Sequence, residues 1–173
     1  DHESAHIRET DFEILRKANL TPFQHNLFNI LEDWRVEERL SARYPGCREN
    51  FRYLIQKLFG TQKAGDTNPA FSILNTILLT VRSWSVDAII PRRESVAKTM
   101  ERHYPGLRKA LHGILDRVKD SCKDTGDCIR YALELEQATL AWSLEQKSIT
   151  EPEKEDSGAA QDESVASSNA SLD

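Results

Sequence analysis

The sequence predicts an all-α protein, a compact bundle of five or six helices, on three observations. Apolar residues recur at spacings of three and four along most of the chain. No stretch alternates apolar and polar at period two over several residues, so no sheet is read. Helix starts and stops punctuate the chain at Thr21-Pro22, Pro45-Gly46, Asn68-Pro69 and Pro105-Gly106.

The most apolar run spans 71–84. Phe71, Leu74, Leu78 and Val81 share one helical face, and Ile73, Ile77 and Trp84 widen it. Asn68 suits the N-cap and Pro69 the first helical position. This helix is expected to be the central one, to run on to Ile90 and to be stopped by Pro91. It is too short, and too polar at Asn75 and Arg82, to span a bilayer.

In chain order, residues 1–10 are polar and expected to fray. Phe12, Ile14 and Leu15 start a short docking helix. Thr21, Pro22 and Gln24 form a capping-box start for a helix that presents Phe23, Leu27, Ile30, Leu31 and Trp34 and continues to about Tyr44. The next helix sets Phe51, Leu54, Ile55, Leu58 and Phe59 on one face, with Gly60 at its end. Val96, Met100 and Tyr104 mark another, and Leu107, Leu111, Ile114 and Val118 the one after it. The last helix carries Cys128, Tyr131, Leu135, Ala138 and Trp142 on its core face. It has a second apolar row at Ile129, Leu133, Leu140 and Leu144. Tyr44-Pro45-Gly46 recurs as Tyr104-Pro105-Gly106, with apolar positions in register around it, which suggests an internal duplication of helix, corner, helix.

The 173 residues are read as one bundle domain, 1–148, followed by a disordered acidic tail, 149–173. The formal net charge of −5 divides into −6 from Ser148 onward and +1 for the rest. The folded part offers no bulk charge to a nucleic-acid backbone. The chain begins at Asp1 without an initiator Met, which is read as a processed or excised chain. Asn19-Leu20-Thr21 and Asn169-Ala170-Ser171 are glycosylation sequons. Cys47, Cys122 and Cys128 are candidates for a disulfide; three single-bridge pairings are open, and three reduced thiols are the alternative.

Catalytic signatures are sparse. His2-Glu3-Ser4-Ala5-His6 matches the H-E-x-x-H zinc pattern, but it sits at the chain start with no third ligand at a recognisable spacing. No catalytic zinc is therefore expected, beyond a weak site made by the terminal amine and His2. There is no Gly-rich phosphate loop, nucleophile elbow or calcium loop. His103 and His112 read as surface histidines. Cys47 sits at a helix start, where its thiol could be activated, but no histidine is near in sequence. Arg92, Arg93, Lys98 and Arg102 are balanced by Glu94 and Glu101 and read as a solvated face. Trp34, Trp84 and Trp142 read as core.

Ile77-Leu-Leu-Thr-Val-Arg-Ser-Trp84 resembles the second bundle helix of the growth hormone and prolactin family. Cys128-Ile129-Arg130 is similar to the Cys that opens that family's fourth helix. The resemblance implies a secreted four-helix ligand of a class I cytokine receptor, with Cys47 as the bridging partner across the bundle. Ser85-Val86 after the Trp and the acidic tail depart from the family pattern.

The expected function is a secreted, non-enzymatic helical protein that binds a protein receptor or host protein, with no cofactor, nucleic acid or membrane insertion. The alternative is an intracellular helical adaptor or regulatory domain. Arg130, Glu134, Gln137 and Glu145 on the outer side of the last helix are the expected binding face.

Overall fold

The computed structural model describes residues 1–60 and 68–150. The protein is all-α. It comprises α1 (His2–Glu9), α2 (Phe12–Ala18), α3 (Pro22–Arg43), α4 (Pro45–Phe59), α5 (Pro69–Arg82), a 3₁₀ turn (Asp87–Ile89), α6 (Ile90–His103), α7 (Leu107–Ser121) and α8 (Thr125–Thr150). Among the described residues there is no strand, and no helix long and apolar enough to cross a membrane. Ile149 and Thr150 belong to α8; the rest of the expected tail, with Asn169, lies outside the described residues.

The organising helix is α3, not α5. It opens on a full capping box, in which Thr21 Oγ1 accepts from the Gln24 N–H and Gln24 Oε1 accepts from the Thr21 N–H. Its 22 residues make a rod of about 33 Å. It packs along α8 and also against α1, α4 and α5. It can do so because it is apolar on two faces. Leu27, Phe28, Ile30 and Leu31 enter a core shared with α5, α7 and α8, whereas Val36 and Leu40 enter a second one with Phe51, Ile55, Leu79 and Ile89.

Helix α5 ends at Arg82 rather than Ile90. The Ser83 hydroxyl donates to Thr80 O, and the Trp84 and Ser85 amides turn back to Val81 O and Arg82 O. Pro91 then lies in the first turn of α6, where a missing N–H costs nothing, so it opens a helix instead of closing one. The inward face of α5 is Ile73, Ile77, Leu79 and Val81, while Phe71 is exposed.

Two further expectations are corrected. Helix α4 buries Phe51 and Ile55 but leaves Leu54 and Leu58 exposed, because it packs chiefly on α3 and the 3₁₀ turn. Residues 1–10 form a docked helix, α1, with Ala5 fully buried against the second core. Such a short, polar segment has little helical tendency alone, so its order comes from its contacts with α3.

The two Tyr-Pro-Gly corners are alike at the backbone. Tyr44 (φ −128°) and Tyr104 (φ −134°) each close the preceding helix with an N–H to the carbonyl four residues back. The likeness is local. Gly106 takes φ +80° and delays α7 to Leu107, whereas α4 begins directly at Pro45. Helix α7 lies along α8, and α4 makes no comparable contact with α5.

Candidate functional site

Helix α1 sets His2 and His6 four residues apart, hence on one face. On α3, Asp33 and Glu37 have the same spacing and meet them. His2 Nδ1 lies 2.9 Å from Glu37 Oε1, and His6 Nε2 lies 3.2 Å from Asp33 Oδ1. The two imidazoles meet edge to face at 4.8 Å. Arg82, at the end of α5, closes the group from the other side. It donates to Glu37 Oε2 at 2.6 Å and to Asp33 Oδ2 at 3.1 Å. The hydrogen bond to Asp33 holds the His6 pKa above its ordinary value, against the effect of burial. One donor atom from each of His2, His6 and Asp33 lies within 4.8 Å of the others.

The sequence offers the H-E-x-x-H spacing without a third ligand; the fold brings the Asp33 carboxylate beside both imidazoles. Asp33 and Glu37 at i,i+4, and an arginine ending an apolar helix, were legible, but nothing local says that α1 lies on α3. Glu3 is on the exposed side of α1.

A second polar centre is structural. Arg35 donates to both oxygens of Glu32, at 2.9 and 2.7 Å, and to Glu9 O at 2.8 Å. Thr125 donates to Glu32 Oε1 and accepts from the Asp11 N–H. Burial pushes the Glu32 pKa up, but Arg35 outweighs it and holds the carboxyl below its ordinary value. This knot joins the end of α1, the cap of α2, α3 and the start of α8.

The cysteines divide unequally. Cys122 Sγ and Cys128 Sγ are 3.2 Å apart and unbonded, and Cys47 packs against the other core cluster. The Cys47–Cys128 bridge implied by the family resemblance is thus not the arrangement in this fold, since Cys128 faces Cys122. Contact with Cys122, together with burial, pushes the Cys128 thiol well up. Asn19 is exposed, in a left-handed conformation between α2 and α3.

The face expected to bind is only partly uncommitted. Arg130 bonds Asp127 and Glu134, and Glu134 also bonds Arg117 of α7, so this end of the strip ties α7 to α8. Gln137 and Glu145 are exposed. The remaining candidates are surface or tethering groups. His112 pairs with Asp116, and His103 bonds Thr99 O. Arg92 reaches Phe59 O and Arg93 reaches Ser83 and Glu94, so that half of the basic cluster anchors α6 rather than being merely solvated. Trp34 packs edge to face on Trp84 at 4.9 Å, and Trp142 donates to Pro105 O.

Beyond Glu136 the surroundings of α8 change. Gln24, in the first turn of α3, bonds Glu136, while Glu32 bonds Thr125 at the start of α8, so the two helices run antiparallel. The rest of α8 passes the start of α3 and is held on one side by the α6–α7 corner through Trp142. Its outer side presents Gln137, Leu140, Ala141, Leu144, Glu145 and Ser148, all exposed and all at helical spacing. Leu140 is 57% and Leu144 67% exposed.

No protein-family model, no curated protein and no solved structure matches this chain.

Proposed function

We propose that this is a non-enzymatic helical protein that acts by binding another protein through the outer face of α8 from Gln137 to Ser148. The observation that carries the reading is the exposed pair Leu140 and Leu144. In α8 the second apolar row is buried at Ile129, half-buried at Leu133 and exposed at Leu140 and Leu144. An apolar row that leaves its own core while keeping helical spacing is the pattern of a helix laid into a partner's groove. The partner's chemistry follows from charge. The sequence after α8 carries Glu151, Glu153, Glu155 and Asp156 against Lys154, so the fitting groove is apolar with a basic rim. A second copy in parallel would set these acidic runs side by side.

In the same reading the protein works outside the cell, as a cytokine-like ligand of the growth hormone and prolactin kind or as a secreted effector. The exposed Asn19 sequon supports this, and Cys122 and Cys128, 3.2 Å apart and unbonded, are the pair that a bridge would join. Non-reducing mass spectrometry of native-source protein checks it. One bridge and a glycan on Asn19 are expected, whereas three thiols and a bare Asn19 select the intracellular adaptor.

The binding claim is tested with Leu140→Asp/Leu144→Asp. The partner captured by the wild type is identified, purified and titrated against both proteins. The variant is expected to bind on the order of a hundredfold more weakly, with helical circular dichroism and Tm unchanged. Equal affinity contradicts the claim. A wild-type dimer in sedimentation that the variant abolishes replaces the partner with a second copy, and acid side chains that weaken binding only when residues 151–173 are present point to the chain's own tail.

A further inference from the structure

We propose that the α1–α3 junction is a binding site for a divalent transition-metal ion of the zinc class, with His2 Nε2, His6 Nε2 and Asp33 Oδ1 as its ligands. Asp33 Oδ1 lies 3.2 Å from His6 Nε2 and 4.0 Å from His2 Nε2. Zinc holds nitrogen and oxygen donors at roughly 2.0–2.2 Å, which sets tetrahedral ligand atoms about 3.4 Å apart. The three donors therefore need only small side-chain movements to close on one ion.

The stronger argument is what holds their other atoms. Metal-ligating histidines carry a partner on the second ring nitrogen, and ligating carboxylates are themselves hydrogen-bonded. Each of the three satisfies this with a different group. His2 Nδ1 faces Glu37 Oε1 at 2.9 Å, His6 Nδ1 faces Thr10 Oγ1 at 3.0 Å, and Asp33 Oδ2 accepts from Arg82 at 3.1 Å. With Nδ1 as the donor on each ring, His2 Nε2 is free to present a lone pair 4.0 Å from Asp33 Oδ1, and a metal ion would take the place of the proton that His6 Nε2 shares with Asp33 Oδ1. Three helices converge on the arrangement, α1, α3 and α5, together with Thr10, which caps α1.

Two imidazoles and one carboxylate form a borderline donor set that suits zinc, cobalt, nickel or copper over magnesium or calcium. The site is not sealed, since the His2 side chain is 34% and that of Asp33 27% exposed, so a fourth position is open to water. The role that fits is fastening α1. This helix buries only Ala5, so its attachment rests on polar contacts that a metal would strengthen.

The test uses the full chain, stripped with chelator and titrated with Zn²⁺ by calorimetry and with Co²⁺ by visible absorption. One equivalent is expected to bind, with intense cobalt bands of a low-coordinate site and a Tm that rises with zinc concentration. His2→Ala, His6→Ala and Asp33→Asn should each weaken binding at least about tenfold, while His103→Ala leaves it unchanged. X-ray absorption of the wild-type zinc form should show a nitrogen/oxygen shell with imidazole scattering and no sulfur; this readout does not depend on any variant folding. Three results overturn the proposal. Absence of binding at about 1 mM metal means the cluster is an ion-pair clamp only. A sulfur shell places the metal on the cysteines. Loss in His2→Ala alone, with His6→Ala and Asp33→Asn intact, means a terminal amine–imidazole chelate.

Discussion

Asp127, in the first turn of α8, is held by three neighbours. Arg130 donates to Oδ1 at 2.8 Å, the Lys123 N–H donates to Oδ2 at 2.9 Å, and its own N–H bonds Asp124. The Arg130 contact is the largest cause that places its pKa below the ordinary 3.8, with the Lys123 amide next. A carboxyl with a lowered folded-state pKa contributes stability above its unfolded value and loses it as pH falls through the folded one. Asp127→Asn should therefore lower the urea midpoint at pH 7, by less than about 1 kcal/mol for so open a pair. The difference should shrink as pH falls below the ordinary 3.8 and through the lowered folded-state value. A gap that persists in acid would assign the effect to the side chain's shape rather than its charge. At this scale the sequence was least informative. Asp33, Glu37 and Arg82 are ordinary helix residues until α1 and α5 are placed beside α3, and distant pairing is what a linear spacing cannot carry.

Elements were more legible, because a helix start is a local event. Thr21, Pro22 and Gln24 lie within four residues, and the two capping-box bonds close between Thr21 and Gln24. Thr21→Ala should cost about 1 kcal/mol, since the Gln24 amide loses its acceptor. An unmoved denaturant midpoint would mean that α3 is continuous with α2, against the left-handed break at Asn19 (φ 47°). Prolines were harder to read. Pro91 follows an apolar run and looks like a stop, yet a first-turn proline serves equally to open a helix, and the choice depends on the Ser83–Ser85 turn before it. Leu54 and Leu58 share a face with Phe51 and Ile55 by spacing alone; whether a neighbour covers them is a tertiary matter. Helix α1 was missed because its order is borrowed from α3.

For the whole molecule, the all-α class was legible from periodicity, and the hub was not. The apolar run of α5 suggests a central helix, yet a hub needs two faces, and α3 has them despite its mean polarity because its inward charged residues are paired, within α3 or with α5. Glu32 with Arg35, and Glu37 with Arg82, let α3 bury charge on the sides that touch other helices. The same packing decides where α8 stops being core. Its first half is enclosed by α3 and α7, and among the described residues its outer side past Glu136 meets no other helix face of comparable extent. The account's central claim is that this outer face is kept for a partner. Hydrogen exchange resolved along α8 tests it most directly. The account predicts strong protection for amides 128–136, a step down for 140–148, and slowing confined to 140–148 when the partner is added. Uniform protection through Ser148 in the isolated protein would contradict it, because the face would then already be covered.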